Sequence, residues 1–316
     1  MNGVVAVDKP AGMTSAQVVA VVKKTLRAKK VGHAGTLDPF ATGVLVCCIN
    51  QATRLTRFLT QSKKVYEAVM RLGVQTDTQD LTGRVVREAP VDAVSDERIK
   101  EVFDHIRHID SQVPPAFSAL KYKGKPLYKL ARQGISVTKA PRRIRIERLQ
   151  VLDIDLPFVR FKVVCGPGTY IRTLSADIGE ALGCGGHLVA LRRTESSGFT
   201  LSDAVSLEAL GELATLGKAQ DCVLSMNDAL REMQEVQVPS TLAEKIRRGV
   251  PVNESVLGPV QVGTGAWVKV TDSSNNLLAV LDAGQRGDVL PYLCVFPSAC
   301  ACKNGETDKD NVMRMS

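Results

Sequence analysis

The order of its apolar segments constrains the fold of this chain most strongly. Some segments have the length or alternation of strands, and others repeat apolar residues at helix spacing. The predicted strands cover residues 3–7, 44–49, 63–72, 143–146 and 161–165, and the predicted helices cover 14–26, 52–59, 99–106 and 171–182. Because strands and helices follow one another without a regular strand–helix–strand repeat, the sequence predicts the α+β class.

The sequence pattern of the chain changes after residue 235. Short β-rich runs at 265–271, 277–282 and 289–296 are separated by turn residues, and Asn275-Asn276 stands where a tight hairpin would turn. We therefore expect a larger domain over 1–235, a small β-rich domain over 236–300 and a disordered tail over 301–316. The chain has no run of about 18 apolar residues and no signal-like start, which predicts a cytoplasmic protein without membrane contact.

Most of the positive charge lies in one segment. The net charge is +8, and residues 121–148 hold ten basic residues against the single acid Glu147. Two prolines and two glycines make the segment loop-like from residue 113, so we treat 113–148 as a basic insertion. Concentrated positive charge is typical of proteins that bind nucleic acid, although a solvated basic face or a patch for anionic lipid would have the same composition.

The segment 31–39 combines groups that could perform chemistry. Its glycines permit close approach of a substrate, and Pro39 holds Asp38 in an extended backbone. A carboxylate presented in this way could be a nucleophile or a general base, but aspartate before proline is also a common turn. His33 could likewise contact a substrate or pack within the loop. The segment lacks the ending of a P-loop, and the cysteines and histidines do not take up zinc-ligand spacing, so we predict no structural metal.

Seven motifs in order resemble those of the TruB family of pseudouridine synthases. The first is Asp-Lys-Pro-Ala-Gly-Met-Thr-Ser at 8–15, and the second is Gly-His-Ala-Gly-Thr-Leu-Asp-Pro at 32–39, which is followed by Ala-Thr-Gly. The others occupy residues 64–68, 76–80, 114–121, 168–172 and 186–193. The fragment 287–291 is a looser match in the C-terminal part.

The resemblance implies a pseudouridine-synthase fold, in which helices flank a mixed, largely antiparallel sheet, with a small PUA-like domain after it. It implies that a uridine of the TΨC loop of tRNA (position 55 in tRNA numbering) is flipped out and isomerised to pseudouridine without a cofactor. Asp38 would act on the nucleotide and Arg172 would pair with it, lowering the pKa of the carboxyl. Tyr66 would complete the catalytic set by stacking on the base.

The resemblance also assigns contacts around these residues. His33, Tyr66, Tyr170 and Leu191 would contact the flipped nucleotide, and the basic insertion would grip the T-arm stem–loop. The expected phosphate contacts are Lys121, Lys123, Lys125, Lys129, Arg132, Arg142 and Arg143. Taken alone, Tyr66 and Tyr170 could be core aromatics, and Arg172 could be an exposed helix arginine.

Several functions remain open on the sequence. The expected protein is a monomer that acts on tRNA without an obligatory protein partner. A guide-RNA-dependent enzyme with the same catalytic core, an RNA chaperone whose catalysis is secondary, and a basic α/β protein of another role are the alternatives. Activity on a bare stem–loop separates the first from the second, and an inactive variant that still assists folding would favour the third.

Overall fold

The computed structural model describes residues 1–135, 137–253, 257, 267–284 and 289–297, so the expected tail lies outside the described residues. Contacts divide the chain into a first compact unit that ends at Leu224 and a second that begins at Ser225. The sequence placed this boundary at residue 235. The strand Gln234–Gln237 pairs with Trp267–Thr271, which is why the division falls earlier. None of the described helices is long and apolar enough to cross a membrane.

The first unit is built on strands of mixed length. In chain order they are β1 (Gly3–Lys9), β2 (Val31–His33), β3 (Thr42–Ile49), β4 (Lys64–Leu72), β5 (Val74–Thr76), β6 (Val85–Glu88), β7 (Ser111–Gln112), β8 (Lys121–Tyr122), β9 (Lys125–Pro126), β10 (Arg142–Arg143), β11 (Ile146–Asp155), β12 (Phe158–Cys165), β13 (Gly186–Ser196), β14 (Phe199–Thr200) and β15 (Ala204–Val205).

Nine of these described strands form one sheet in the order β11-β12-β4-β13-β3-β1-β15, with β14 added to β13 and β2 added to β3. The pairs are antiparallel except for β13 with β3 and β1 with β15, which are parallel. The predicted mixed, largely antiparallel sheet is therefore confirmed. Gly43 permits the parallel contact, because a Cβ there would lie 2.2 Å from the carbonyl oxygen of Arg193.

Six described α-helices belong to the first unit, and four of them enter its two cores. The six are α1 (Ser15–Thr25), α2 (Thr56–Leu59), α3 (Asp96–Ile106), α4 (Leu127–Ala131), α5 (Ile171–Ala181) and α6 (Leu207–Thr215). The apolar stripes of α3 and α5 enter one core with β4, β12 and β13, where Phe103 and Phe161 meet edge to face at 5.5 Å. A second core joins α1 and α6 to β1 and β3.

The second unit is β-rich, as its sequence predicts. Its elements are β16 (Gln234–Gln237), α7 (Ser240–Arg247), β17 (Val252–Asn253), β18 (Trp267–Thr271), β19 (Leu277–Asp282), β20 (Val289–Leu290) and β21 (Tyr292–Val295). The turn between β18 and β19 places Asn275 at a positive φ of 63°, a conformation that asparagine tolerates well. Among the described residues, β16, β18, β19 and β21 form one sheet.

Three local predictions differ from the structure. The expected helix over 52–59 is a 3₁₀ segment, Asn50–Leu55, followed by α2. The strand expected near Ile144 is interrupted, because β10 pairs with β7 while β11 pairs with β12. The strand expected over 289–296 is divided at Pro291, which has no N–H to donate to a ladder.

Candidate active site

A loop between β2 and β3 carries Asp38 and is held by the first strand and helix. Lys9 is fully buried, and its Nζ donates to the carbonyl oxygens of Pro10, Pro39 and Ala41 at 2.8, 3.1 and 2.7 Å. The Ser15 hydroxyl accepts from the N–H of Leu37 at 2.9 Å. The opening motif therefore shapes the backbone around Asp38, since buried carbonyl groups require partners.

Asp38 is paired with Arg172 at the start of α5. The Oδ2 of Asp38 lies 2.9 Å from Arg172 Nε, and Nη2 of the arginine donates to Oδ1 at 3.2 Å. The arginine side chain is only 4% exposed, whereas that of the aspartate is 34% exposed. The cation is thus a buried support, and the carboxylate is the member of the pair that a substrate can reach.

Asp80 is the residue that sequence reasoning missed. Its Oδ2 lies 3.3 Å from Nη1 of Arg172, and its side chain is 6% exposed. The hydroxyls of Thr78 and Thr82 donate to its Oδ1 at 2.7 and 2.6 Å. The motif at 76–80 resembles that of the family, but its sequence gives no sign that this carboxylate shares the arginine with Asp38.

Two backbone carbonyls complete the surroundings of Arg172. Nη1 donates to the oxygen of Thr78 and Nη2 to that of Phe117, both at 2.9 Å. The interpretation of Arg172 as an exposed helix arginine is therefore wrong. A rigid planar guanidinium suits such a site because its donors have a fixed geometry.

Burial has the largest effect on the pKa of Asp38 and raises it above the ordinary aspartate range, and Asp80 acts in the same direction. Arg172 lowers this pKa and Lys9 does so more weakly, but they do not reverse the shift. The expected lowering by Arg172 is present, but the sequence expectation did not include burial, which outweighs it and makes the net shift upward. Burial also lowers the pKa of Lys9 to about 8.

An apolar cluster adjoins the Asp38 loop. Leu37, Tyr66 and Leu191 belong to the same buried core, and the tyrosine and Leu191 are each 7% exposed. Burial raises the pKa of Tyr66, while Arg193 lowers it through its charge and a hydrogen bond. The structure thus brings two of the expected pocket residues together beside Asp38.

His33 and Tyr170 lie in different surroundings. His33 ends β2 and is half-buried, and burial together with Arg193 lowers its pKa, so its imidazole is neutral at pH 7. Tyr170 is half-buried outside that apolar cluster, and the Arg142 guanidinium lies over its ring at 4.5 Å. Arg142 also donates to the carbonyl oxygen of Gly168. Among the expected phosphate contacts, Arg142 is the one that is half-buried.

The other expected phosphate contacts lie on the surface. Their side chains are exposed: Lys121, Lys123, Lys125, Lys129, Arg132 and Arg143. The amino group of Lys123 lies 5.7 Å from the centre of the Tyr122 ring, and the guanidinium of Arg132 lies 5.8 Å from that of Tyr128. A cation next to an accessible aromatic ring can contact both phosphates and bases.

A second basic surface was also missed. Residues 14–66 contain nine basic residues and Asp38 as the only acid. Asn50 Oδ1 accepts from the backbone N–H groups of Lys29 and Lys30 at 3.0 and 3.1 Å, which joins the end of α1 to the turn that precedes Arg54 and Arg57. The charge count over this segment would have revealed it.

The buried ion pair gives a stability prediction. Arg172→Met should lower the free energy of unfolding by about 3–5 kcal/mol, because it leaves Asp80 buried without its cation. The matched control is Arg84→Met, which removes an arginine 93% exposed from its pair with Asp77 and should lower it by at most about 1 kcal/mol. Urea unfolding of the two variants measures both values, and equal small losses would contradict the account.

Comparison with known proteins identifies the family of the chain. Residues 23–171 match the model described as TruB family pseudouridylate synthase (N terminal domain), and residues 172–235 match the tRNA pseudouridylate synthase B C-terminal domain. The tRNA pseudouridine synthase B of Geobacter sulfurreducens is 48% identical over 251 residues, which cover 79% of this chain and 83% of the relative. That of Syntrophus aciditrophicus is 43% identical over 289 residues, which cover 89% and 90%.

Solved structures show the same fold. A Cbf5-Nop10-Gar1 complex contains a chain with a TM-score of 0.75 and 26% identity, covering 93% of this chain and 85% of that one. An H/ACA RNP bound to a substrate RNA containing 2'-deoxyuridine gives a TM-score of 0.72 and 25% identity, covering 94% and 85%. On these grounds the chain belongs to the TruB family of pseudouridine synthases, which are isomerases.

Proposed function

We propose that this protein isomerises a uridine of tRNA to pseudouridine, that the uridine is position 55 of the TΨC loop, and that Asp38 acts on the nucleotide. The observation that carries the proposal is the pairing of the partly exposed Asp38 with the buried Arg172 beside the apolar cluster of Tyr66. The relatives named tRNA pseudouridine synthase B support tRNA as the substrate.

The proposed reaction is a rearrangement that needs an ionised carboxylate. The N1–C1′ bond of the uridine breaks and a C5–C1′ bond forms, while a proton leaves C5 and another is taken up at N1. No electrons are gained or lost. Attack on the ribose C1′, attack on the base and removal of a ribose proton all require Asp38 to be ionised, and Arg172 favours that state against burial.

The base must leave its stack to reach Asp38. Flipping a stacked base costs a few kcal/mol. Stacking on an aromatic side chain returns about 1–3 kcal/mol per base, and Tyr66 is an aromatic residue of the buried cluster that lies within range of the Asp38 charge. Leu191 adds an apolar wall, and the neutral His33 can donate or accept one hydrogen bond. Tyr170 would contact the nucleotide from the start of α5.

The remaining RNA would be held by charge. The exposed cations of the basic insertion would bind phosphates of the T-arm, and they position the stem–loop without reading its sequence. The basic residues of 14–66 lie in the same unit as Asp38 and would add further positive charge for RNA. The β-rich second unit would be a PUA-like RNA-binding domain, and the protein would act as a monomer.

Tritium release tests the proposed reaction. A T-arm stem–loop labelled with tritium at C5 of the target uridine should release tritium to water when incubated with the protein alone. Asp38→Asn should abolish release while changing the dissociation constant for RNA by less than about three-fold, since the substitution removes a reactive group and no phosphate contact. Asp92→Asn, a variant at an exposed aspartate, is the matched control and should keep wild-type turnover.

The outcomes separate the competing functions. Turnover by Asp38→Asn above about one tenth of wild type would overturn the assignment of this residue. Binding of the stem–loop by the wild-type protein without release would favour a guide-dependent enzyme or a chaperone. Release from a stem–loop labelled at another uridine would contradict position 55 as the target.

Salt dependence tests the basic insertion. Changing Lys121, Lys123 and Lys125 together to glutamine should weaken tRNA binding and make the slope of log K against log salt shallower by about 0.7–0.9 for each phosphate that is no longer neutralised. The control changes Lys100, Lys162 and Lys218, which lie outside both basic segments, and should leave the slope unchanged. Equal slopes for the two triple variants would show that the insertion lysines do not touch the RNA backbone.

A further inference from the structure

The two ends of the basic insertion meet at one short ladder. β7 and β10 pair so that Gln112 lies directly opposite Arg142, and the N–H of Ile144 donates to the backbone carbonyl oxygen of Asp110 at 2.8 Å. The segment between these two partners begins and ends at this ladder. A displacement of the insertion would therefore act first on Gln112 and Arg142.

Gln112 and Arg142 both contact Tyr170. The side-chain amide of Gln112 donates to the carbonyl oxygen of Tyr170 at 3.1 Å and accepts from its N–H at 2.8 Å, and Gln112 is only 3% exposed. Arg142 lies over the tyrosine ring and donates to the carbonyl of Gly168. A buried amide with both of its groups paired to one backbone residue fixes that residue in position, because breaking either bond leaves a buried polar group unsatisfied.

Tyr170 stands immediately before α5, which carries Arg172 as its second residue. The side chain of Tyr170 does not cap that helix. The two hydrogen bonds from Gln112 therefore fix the backbone of the residue at which the helix starts. Arg172 itself donates to the carbonyl oxygen of Phe117 in the insertion. The ladder at the base of the insertion is thus bonded to Tyr170, and the insertion is bonded directly to Arg172.

We propose that Gln112 is a positioning residue, which acts through Tyr170 to hold Arg172 against Asp38 and so couples the seating of the basic insertion on RNA to the alignment of the catalytic carboxylate. The proposal rests on the proposed function and deepens it. Gln112 itself touches neither the aspartate nor the base. Displacement of a catalytic group by about 1 Å can reduce a rate by about a hundred-fold, which makes a remote amide relevant to turnover.

The test is Gln112→Leu, compared with Gln150→Leu at an exposed glutamine of β11 that lies outside both basic segments. Single-turnover pseudouridine formation on the stem–loop should fall about ten-fold or more for Gln112→Leu, with RNA affinity within about three-fold of wild type. Gln150→Leu should retain both values. A filter-binding titration and a thermal melt of each variant accompany the rate measurement.

The pH profile supplies a readout that a purely structural role would not move. The charged groups that influence Asp38 are Arg172, Asp80 and Lys9. Because the arginine lowers the pKa of Asp38, its misplacement should shift the acid limb of the rate to higher pH. An unchanged rate for Gln112→Leu would overturn the proposal, and so would a loss of rate accompanied by weakened RNA binding and an unmoved acid limb.

A second variant keeps the test decisive if Gln112→Leu does not fold. Gln112→Glu retains an oxygen that accepts from the N–H of Tyr170 but loses the donor to its carbonyl, so its rate should lie between those of wild type and Gln112→Leu. A wild-type rate for Gln112→Glu in that case would overturn the proposal. Failure of the proposed function itself looks different, because the wild-type protein would then form no pseudouridine.

Discussion

One buried guanidinium organises the site. Arg172 lies between two carboxylates, Asp38 at 2.9 Å and Asp80 at 3.3 Å, and it also donates to two backbone carbonyls. A buried cation is stable only when its donors are satisfied. Those partners come from three segments, which are the loop after β2, the turn after β5 and the basic insertion, so one side chain fixes these segments relative to α5.

The loop that carries Asp38 has no ladder or helix to satisfy its backbone, and side chains do so instead. Lys9 donates to the carbonyl oxygens of Pro39 and Ala41. Arg193 donates to that of Gly35 in the loop at 3.0 Å and to that of Val44 in β3 at 2.7 Å. Two cations are thus enclosed near the site without being part of the Asp38 pair. Of the two, Lys9 lowers the pKa of Asp38 and so favours its ionised form, while burial opposes it.

The sequence predicted elements whose stability is local. The helix at 171–182 and the strand at 277–282 have strong periodicity and clear end signals, and both are present. The break between β10 and β11 depends on a distant partner, β7, and could not be read from the alternation of Ile144 and Ile146. Asp38 and Arg172 were found by resemblance, whereas the role of Asp80 depends on contacts 92 positions apart in the chain, between Asp80 and Arg172. The direction of the Asp38 pKa shift was missed for the same reason, because burial is set by the whole fold.

The most direct test of this account is the pKa of Asp38, measured from its carboxyl carbon by NMR with Asp38→Asn for assignment. The account predicts a value above the 3.8 of an ordinary aspartate in the wild-type protein. It predicts a lower value in Asp80→Asn, because that variant removes a negative charge and leaves Arg172 to Asp38 alone. A wild-type value at or below 3.8 would contradict burial as the largest influence on the pKa of Asp38. A value that stays constant or rises in Asp80→Asn would contradict the sharing of Arg172 between the two carboxylates.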